Sequence, residues 1–486
     1  MSAGAMLFGD EVVFDGNTAE LSGGAMAILG GNVTFADSAM FSNNTASSGA
    51  AIAISAADSV LSFQDSAQFI GNTGTGILVN NNTDGTVNFA RGVVFDNNTN
   101  PLNGALVNIG TVNGTSGDFI FTNNTGSNGG GLKNSGTVTF NTTGDILFAS
   151  NTTTSTAGAL DNGGEIILDS SSVSFRDNVS NAGYGGAIFN AGDLQILGAV
   201  NTFSNNTAND SGAIKSGGGA VHNRGNTDSS DLVIGTSAST NTFSSNTSAA
   251  YGGALVSRAF DGAGQNSTVA VNGVTTFSNN KSALDGGAVW NMVAPADGTT
   301  GTSHITFNND TSFINNTSGG MGGAIYNNDT VTFNGTTTFR GNTANGVAND
   351  IHNDGTVNFN GNATISGGIT GSGNLNIASG KTLNIGTSTI TQGKISLDGT
   401  MLATLRSGDT AQINVTNTDG FTGAGTLQLL FDAAGTYQVF GGAQFSGLDI
   451  GSSVYDLTWN GGAVTATLKS VADIASQNNL SNEAAR

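Results

Sequence analysis

The sequence predicts an all-β protein, a parallel β-helix (β-solenoid) with three short strands in each coil. The first observation is a Phe-x-x-Asn motif that occurs twelve times. The second is its period, because the first eight copies lie about 26 to 28 residues apart, and so constant a period indicates one structural unit per repeat. The third is composition: 74 Gly, 2 Pro and 37% hydrophobic residues supply turns and strands but little helix-forming material.

The motif supplies the expected interior. Each Phe should stack on the Phe of the next coil, and each Asn should hydrogen-bond along the rod, as amide ladders do in other stacked strands. We also expect these Asn residues to take the left-handed conformation. The pairs are Phe14 and Asn17, Phe41 and Asn44, Phe69 and Asn72, Phe95 and Asn98, Phe121 and Asn124, Phe148 and Asn151, Phe175 and Asn178, Phe203 and Asn206, Phe243 and Asn246, Phe277 and Asn280, Phe313 and Asn316, and Phe339 and Asn342.

One coil is clearest between Phe313 and Phe339. Gly-Gly-Ala-Ile, a variable residue and Asn follow the motif, and then come Thr-Val-Thr-Phe, a short turn and Thr-Thr-Phe. Inward Val331 and Phe333 alternate with outward Thr, which indicates half-buried strands. The Gly-Gly pair indicates a corner that needs positive φ or close backbone approach. About fifteen such coils would form a rod about 70 Å long.

A second Asn follows Gly-Gly-Ala-Ile and the variable residue in the same register. Both ladders create Asn-x-Thr triplets, which are glycosylation acceptors in secreted proteins, but their coil spacing favours a structural role. The second ladder comprises Asn80, Asn108, Asn134, Asn162, Asn190, Asn223, Asn291, Asn327 and Asn353.

Charge and composition exclude several functions. A net charge of −21 with only 13 Lys and Arg argues against nucleic acid or anionic membrane as a partner. The absence of Cys excludes disulfides and Cys-based metal sites. No cofactor is expected, and calcium binding is a weak alternative because no Gly-Gly-x-Gly-x-Asp array occurs. No signal peptide and no membrane-spanning apolar run is visible, so we expect a fragment whose targeting segment lies upstream.

Gly-Gly-Ala-Ile paired in register with Phe-x-x-Asn resembles the passenger domains of the chlamydial polymorphic outer-membrane proteins. Clear pairs are Gly185–Ile188 with Phe203–Asn206 and Gly322–Ile325 with Phe339–Asn342. The resemblance covers roughly residues 1–360. It implies an autotransporter passenger, built as a right-handed β-helix, that is an adhesin at the outer membrane or is secreted. The chain lacks the Cys common in chlamydial members, so a more distant autotransporter with the same repeat is an equal alternative.

The chain divides into four predicted regions. Residues 1–360 form the repeat β-helix, and 361–425 form narrower coils. The more apolar residues 426–469 resemble the C-terminal cap, or autochaperone region, of autotransporter passengers. Residues 470–486 have an amphipathic helical pattern. This pattern is similar to the linker that precedes a translocation barrel, which is absent from this sequence and would provide the only link to a membrane.

Candidate partner-binding residues occupy the variable position after Gly-Gly-Ala-Ile. Alternation from the inward Ile makes this position face out, so we expect Phe189, His222, Trp290 and Tyr326 to form an exposed contact stripe. Lys133 and His352 share the position, whereas the earliest coils have Ala or Val there. The alternative is a position that tolerates any residue, with inserted loops covering the aromatic rings.

Three consecutive coils are longer than the rest. The Phe-to-Phe spacings that end at residues 243, 277 and 313 are 40, 34 and 36 residues. The additional residues mostly fall in Arg224–Asp231, Arg258–Asn266 and Val293–Ser303. We expect these insertions to emerge at one corner, where Arg224 and Arg258 would join the aromatic residues in a partner-facing site. Insertions are also tolerated there simply because such a corner is exposed.

The sequence thus predicts a non-catalytic adhesin that binds a protein or glycan on a host or neighbouring cell. A β-helical polysaccharide-processing enzyme is one alternative, but it needs clustered carboxylates, and the pair Asp350 and Asp354 is of a kind expected in turns. A filament that self-associates through open strand edges is another. An ice-binding Thr-x-Thr face is remote, because the pattern does not recur in every coil.

Overall fold

The computed structural model describes residues 4–80, 82–209, 217–225, 230–259, 265–293, 301–418, 420–442, 449–452, 454–470, 473–474 and 476. Successive coils stack in parallel, and each coil contributes one strand to each of three long sheets. The predicted parallel β-helix with three strands per coil is therefore confirmed. No helix in these ranges is both long enough and apolar enough to cross a membrane.

Sheet 1 begins each coil and pairs in chain order. Its strands are Ala5–Phe8, Asn32–Phe35, Val60–Phe63, Thr86–Phe89, Thr111–Gly114, Thr137–Asn141, Glu165–Asp169, Asp193–Ile196, Ser230–Ile234, Ser267–Val271, Ser303–Phe307, Thr330–Phe333, Thr356–Phe359, Asn374–Ile377, Lys394–Leu397 and Phe421–Thr422.

Sheet 2 follows sheet 1 in each coil and contains the motif Phe. Its strands are Val12–Asp15, Ala39–Ser42, Ala67–Ile70, Val93–Asp96, Phe119–Thr122, Asp145–Ala149, Ser172–Arg176, Val200–Ser204, Thr240–Ser244, Val274–Ser278, Thr311–Ile314, Thr337–Arg340, Ala363–Thr364, Thr382–Gly386, Thr400–Leu405, Thr426–Phe431 and Asp449–Gly451.

Sheet 3 closes each coil and contains the second Asn ladder. Its strands are Met26–Ile28, Ile52–Ile54, Leu78–Asn80, Leu106–Asn108, Leu132–Asn134, Leu160–Asn162, Ile188–Asn190, Val221–Arg224, Leu255–Ala259, Val289–Val293, Ile325–Asn327, Ile351–Asn353, Ile369–Thr370, Ile390–Gln392, Ile413–Val415 and Phe440–Gly442.

A row of two-residue strands lies between sheets 2 and 3 in the N-terminal part of the rod. We call the segment that contains this row and runs on to the Gly-Gly corner the arc. The two-residue strands are Thr45–Ala46, Thr73–Gly74, Thr125–Gly126, Thr152–Thr153, Val179–Ser180, Thr207–Ala208, Thr247–Ser248, Lys281–Ser282, Thr317–Ser318, Thr343–Ala344 and Val347–Ala348. The last two pair antiparallel and end the row.

The motif phenylalanines form a continuous stack inside the rod. Phe41, Phe69, Phe95 and Phe121 are fully buried, and the centroids of successive rings lie 5.0, 4.6 and 5.1 Å apart. Offset parallel stacking adds to the burial of apolar area. Sheet 1 has Gly114 where other coils have an inward Phe. The ring of Phe119 fills this space, so that a Cβ on Gly114 would lie only 2.2 Å from it.

The motif asparagines form a buried amide ladder in which every polar group is used. Asn124 donates from Nδ2 to the Phe95 carbonyl at 2.9 Å and to Oδ1 of Asn151 at 3.0 Å. Its own Oδ1 accepts from the backbone N–H and the Nδ2 of Asn98. The same pattern joins Asn44, Asn72 and Asn98. Because no donor or acceptor is left unmet, burial of these amides carries no desolvation penalty of the usual size.

The left-handed residue is not the ladder Asn, as the sequence suggested, but the residue before it. Asn43, Asn97 and Asn123 have φ of 53°, 53° and 55°, and Gly71 fills the equivalent position at 64°. The reason is that the ladder Asn must keep its N–H and side chain aligned with the coil above. The sharp reversal is therefore taken one residue earlier, by residue types that tolerate positive φ.

The Gly-Gly corner behaves as predicted. Gly286 has a φ of 67°. A Cβ on Gly287 would lie 2.0 Å from the Gly323 carbonyl oxygen of the next coil. The first Gly thus provides the conformation and the second permits the close approach of two backbones.

The second ladder also runs along the rod, with one repair. Asn134 donates to Asn162 at 2.9 Å, and Asn162 donates to Asn190 at 2.8 Å. In one inserted coil Ser257 replaces the Asn, and its hydroxyl lies 2.9 Å from Ser267 Oγ and 2.9 Å from Ser303 Oγ. The hydroxyls thus carry the hydrogen-bonded row across the missing amide.

Asp350 ends the first ladder. Asn342 donates from Nδ2 to Asp350 Oδ1 at 2.8 Å, and the backbone N–H groups of Ser366 and Gly367 donate to Oδ2 at 2.8 and 2.6 Å. Burial raises the pKa of this carboxyl, although these hydrogen bonds act against the rise. The carboxylate therefore accepts the last amide donor where no further ladder Asn follows.

Beyond the antiparallel pair of Thr343–Ala344 and Val347–Ala348, the coils have no arc strand among their described residues. Their interior is aliphatic, with Leu375, Leu383, Ile390 and Ile395 fully buried. A three-stranded antiparallel sheet of Gly435–Gln438, Ala463–Leu468 and Tyr455–Asn460 follows. The four region boundaries stay predictions. The helix expected over 470–486 lies almost wholly outside the described residues. Within that range Asp473, Ile474 and Ser476 are described as helical.

Candidate functional site

The candidate residues share one row on the outer face of sheet 3. Strand register places Lys133 beside Asp161, Asp161 beside Phe189, and Phe189 beside His222. The row continues through Val256, Trp290, Tyr326 and His352. Sequence periodicity thus placed these residues in one line along the rod.

The expected exposure is wrong for His222 and Trp290 of this row and for Arg258, which lies two residues after the row residue Val256. His222 is completely buried, Arg258 is 1% exposed and Trp290 is 2% exposed. Phe189, Arg224 and Tyr326 are half-buried. The physical reason is that the arc folds back over the outer face of sheet 3, so a side chain that points away from the interior still meets protein.

Two tyrosines of the arc contribute to this cover. The ring of Tyr184 lies 4.9 Å from that of His222, edge to face, and Tyr251 stacks on Trp290 at 4.4 Å. Sequence reasoning missed both tyrosines. The signal was present, because each directly precedes a Gly-Gly pair, at Tyr184-Gly185 and at Tyr251-Gly252.

The first cluster consists of Tyr184, Phe189, His222 and Arg224. The guanidinium carbon of Arg224 lies 5.8 Å from the ring centroid of Tyr184 and 6.0 Å from that of Phe189, within the range of cation–π attraction. Burial lowers the pKa of Arg224. Burial and the nearby Arg258 lower the pKa of His222 to about 3, so the imidazole is neutral, and its Nδ1 lies 3.2 Å from the Gly217 carbonyl oxygen.

The second cluster consists of Tyr251, Asp285, Trp290 and Tyr326. Trp290 lies between the two tyrosines, with its ring 4.4 Å from Tyr251 and 6.4 Å from Tyr326. The indole N–H of Trp290 is buried and has no acceptor in the described part of the chain. Burial, and then Asp285, raises the pKa of Tyr251. Burial, followed by Asp354 and Asp285, raises the pKa of Tyr326.

His352 extends the second cluster toward the narrow coils. It stacks on Tyr326 at 5.3 Å, and its ring nitrogens lie 3.0 Å from Thr370 Oγ1 and 3.0 Å from Asp354 Oδ2. Burial tends to raise the pKa of Asp354, but hydrogen bonds from Ser372 and His352 hold it below its ordinary value. Asp354 is thus held in a fixed network, as Asp350 is at the end of the Asn ladder.

The charged pair Lys133 and Asp161 lies at the other end of the row. Lys133 Nζ donates to Asn103 Oδ1 at 2.8 Å. Burial raises the pKa of Asp161 to about 6, although the charge of Lys133 and a hydrogen bond from Thr156 act against the rise. No group of three or more His, Cys, Asp or Glu side chains within the described ranges is arranged to hold a metal ion.

The three insertions begin and end as extensions of sheets 3 and 1. Arg224 pairs with Arg258, and Arg258 pairs with Met292, two residues beyond the variable position. On the return, Ser230 pairs with Ser267 and Ser267 with Ser303. The middle of each predicted insertion, residues 226–229, 260–264 and 294–300, lies outside the described residues.

Two segments of the chain match the Chlamydia polymorphic membrane protein repeat, residues 274–292 and 310–328. The chain carries polymorphic membrane protein repeats. No curated protein and no solved structure matches the chain significantly. Each matched repeat runs from a sheet 2 strand through the arc to sheet 3, so the first ends just past Trp290 and the second just past Tyr326. The first matched repeat thus contains Asp285 and Trp290 of the second cluster, and the second matched repeat contains Tyr326.

Proposed function

We propose that the chain is the passenger of an autotransporter and acts as a non-catalytic adhesin, exposed on the bacterial surface or secreted. The partner is a protein or glycan on a host or neighbouring cell. The observation that carries this proposal is the overlap of the two matched repeats with the second cluster, to which they contribute Trp290 and Tyr326. The polymorphic membrane protein repeat supports a surface setting, and the half-exposed rings of Tyr251 and Tyr326 support contact with a partner.

The geometry of the acidic residues favours binding over turnover. Asp350 terminates the Asn ladder and Asp354 is held by Ser372 and His352. Glycoside hydrolysis needs two carboxyl groups that face a common substrate. These two carboxyl groups are instead bonded to separate parts of the chain.

The geometry of the rod also favours a lateral contact surface over end-to-end stacking. The antiparallel sheet of Gly435–Gln438, Ala463–Leu468 and Tyr455–Asn460 packs on the last coils, and its own Val464 is fully buried. Repeat rods commonly bind along their sides, where successive coils present equivalent positions.

Adhesion of the labelled full chain to cultured epithelial cells tests the proposal. Shortening the inserted coils by removing residues 226–229, 260–264 and 294–300 should leave the far-ultraviolet circular dichroism unchanged and reduce binding. Tyr326→Ala should reduce binding as well, because it removes a half-buried ring from the second cluster.

Matched controls lie in the C-terminal region. Removal of residues 443–448, and Tyr455→Ala at another half-buried tyrosine, should leave binding unchanged. Binding that survives both the insertion deletions and Tyr326→Ala would show that the contact surface lies elsewhere. Loss of binding with the controls as well would point to a general folding defect.

A further inference from the structure

The two aromatic clusters are related by a shift of two coils. Backbone hydrogen bonds place Tyr184, Gly217, Tyr251 and Asp285 on successive coils of the arc, since Gly185 donates to Gly217, Gly218 to Tyr251 and Gly252 to Asp285. Strand register likewise relates His222 to Trp290 through Val256, and Arg224 to Met292 through Arg258. The shift therefore carries Tyr184 to Tyr251, His222 to Trp290 and Arg224 to Met292.

The first cluster shows what such a site accepts. Arg224 places its guanidinium over the rings of Tyr184 and Phe189, at 5.8 and 6.0 Å from their centroids. A planar guanidinium stacks on aromatic faces more effectively than a compact ammonium does. The chain thus contains its own example of a cation bound to this arrangement of side chains.

The second cluster keeps an arc tyrosine against a ring of sheet 3. Val256 stands at the position of Phe189, and Tyr326, one coil beyond Trp290, supplies the second aromatic side chain of sheet 3. Met292 takes the place of the arginine, and Asp285 stands where the first cluster has Gly217. Oδ1 of Asp285 accepts from the backbone N–H of Met321 at 2.7 Å. Its Oδ2 has no hydrogen-bond partner in the described part of the chain. The cation–π pairs seen among the described residues join Arg224 to Tyr184 and Phe189 of the first cluster.

The surface is accessible and its charge suits a basic ligand. Tyr251, Asp285 and Tyr326 are half-buried. Asp285 lies one coil beyond Tyr251 in the arc, since Gly252 donates to the Asp285 carbonyl oxygen, and its charge adds to the rise in the pKa of both tyrosines. The net charge of −21 attracts basic partners over distance and so raises the rate of encounter.

We propose that the second cluster, formed by Tyr251, Asp285, Trp290 and Tyr326, binds an arginine side chain of a basic partner segment. The guanidinium stacks on the exposed tyrosine faces and donates to Asp285 Oδ2, as a charge-assisted hydrogen bond. This rests on the proposed function, because a protein on the opposing cell surface would supply the arginine.

A fluorescence titration of the full chain tests this inference. The chain has two Trp, so Trp459→Phe leaves Trp290 as the single reporter beneath Tyr251. The probe is a hexa-arginine peptide, with hexa-lysine for comparison. We expect a saturable change in Trp290 emission and weaker binding of hexa-lysine. Asp285→Asn and Tyr251→Ala should each weaken hexa-arginine binding about 3- to 10-fold.

Two further variants separate specific binding from general attraction. Asp398→Asn removes one charge from an exposed site in the narrow coils and should change the affinity less than twofold, as expected for a distant surface charge. Met292→Arg places a cation where the first cluster has Arg224, and it should block the peptide because the site is then filled from within. Circular dichroism of each variant, compared with the parent chain, shows whether a loss of binding comes from a folding defect.

Three results would overturn the inference. One is an equal loss of affinity in Asp285→Asn and Asp398→Asn, which would indicate attraction to the whole polyanion. Another is full peptide binding by Met292→Arg. The third is an absence of response to hexa-arginine together with a saturable response to maltohexaose, which would assign the rings to a glycan.

Failure of this inference is distinguishable from failure of the proposed function. If hexa-arginine binds the second cluster but the chain does not adhere to cells, the adhesive function is wrong and the cation site stands. If the chain adheres, hexa-arginine does not inhibit adhesion and Met292→Arg does not reduce it, the function stands and the cation site is wrong.

Discussion

The wide coils before residue 349 and the narrow coils after it share three sheets but differ in what the rest of the coil does. Each wide coil adds an arc and a motif Asn, and the arc covers the outer face of sheet 3 with residues such as Tyr184 and Tyr251. Narrow coils also stack in parallel, on an aliphatic interior, with Leu375 and Ile395 paired in register. Stacking therefore does not need the arc. The added chain builds a second layer on which recognition residues are placed.

The stacked Phe interior distinguishes the wide coils from the narrow ones, and Phe121→Ala should have the largest effect on stability. Phe121 contacts Phe95 at 5.1 Å and Phe148 at 4.6 Å. The change should cost about 3–5 kcal/mol, measured by urea denaturation, and hydrogen exchange should quicken in the adjoining coils because each coil contacts only its neighbours.

The control for that change is Leu102→Ala at a residue that is 60% exposed. It should alter the free energy of unfolding by less than about 0.5 kcal/mol. Equal effects of the two changes on the free energy of unfolding would show that the Phe stack does not stabilise the wide coils.

The Gly-Gly corner offers the next largest effect. Gly287→Ala should cost roughly 1–3 kcal/mol or more, because the new Cβ meets the Gly323 carbonyl at 2.0 Å. Gly451→Ala in the C-terminal region meets no atom within 4 Å and should be nearly neutral. Thermal denaturation of both variants checks the pair, and a neutral Gly287→Ala would mean that neighbouring corners are not in close contact.

The first Asn ladder ends at Asp350, where the wide coils meet the narrow coils, and a substitution there tests this boundary. Asp350→Asn replaces one acceptor oxygen by an amide donor, so either Asn342 or the pair Ser366 and Gly367 faces a donor. The loss should be about 1–3 kcal/mol by urea denaturation. Asp398→Asn, at an exposed carboxylate, is the matched control. Unchanged stability of Asp350→Asn would remove its role as the end of the ladder.

Asp161 gives an effect on stability that depends on pH and vanishes in acid. Its folded pKa is about 6, above its ordinary value of 3.8. Between these pH values the folded chain holds a proton that the unfolded chain has lost, so stability falls as pH rises through this window. Asp161→Asn should therefore be neutral near pH 3.5 and more stable than the parent by about 1–3 kcal/mol at pH 7. A gain that is the same at both pH values would contradict the raised pKa.

The sequence was sufficient to predict which side chains stack along the rod. Phe41 to Phe121, the Asn ladders and the Gly-Gly corner follow from spacing, because stacked strands place equivalent residues one above the other. The left-handed residue before the ladder Asn was missed, since Asn43 and Asn44 are the same residue type and local preference does not separate them. The cover over His222 and Trp290 was missed because the alternation rule describes one sheet and does not report a second layer.

The central proposal is that partners contact the second layer of the wide coils. Hydroxyl-radical footprinting of the full chain, free and bound to cells, measures this contact at each side chain. We expect protection of Tyr251, Tyr326 and the 52% exposed Met321 on binding, and unchanged oxidation of Tyr455 and Leu468 in the C-terminal sheet. Protection confined to the C-terminal sheet, with Tyr251, Met321 and Tyr326 unchanged, would contradict it.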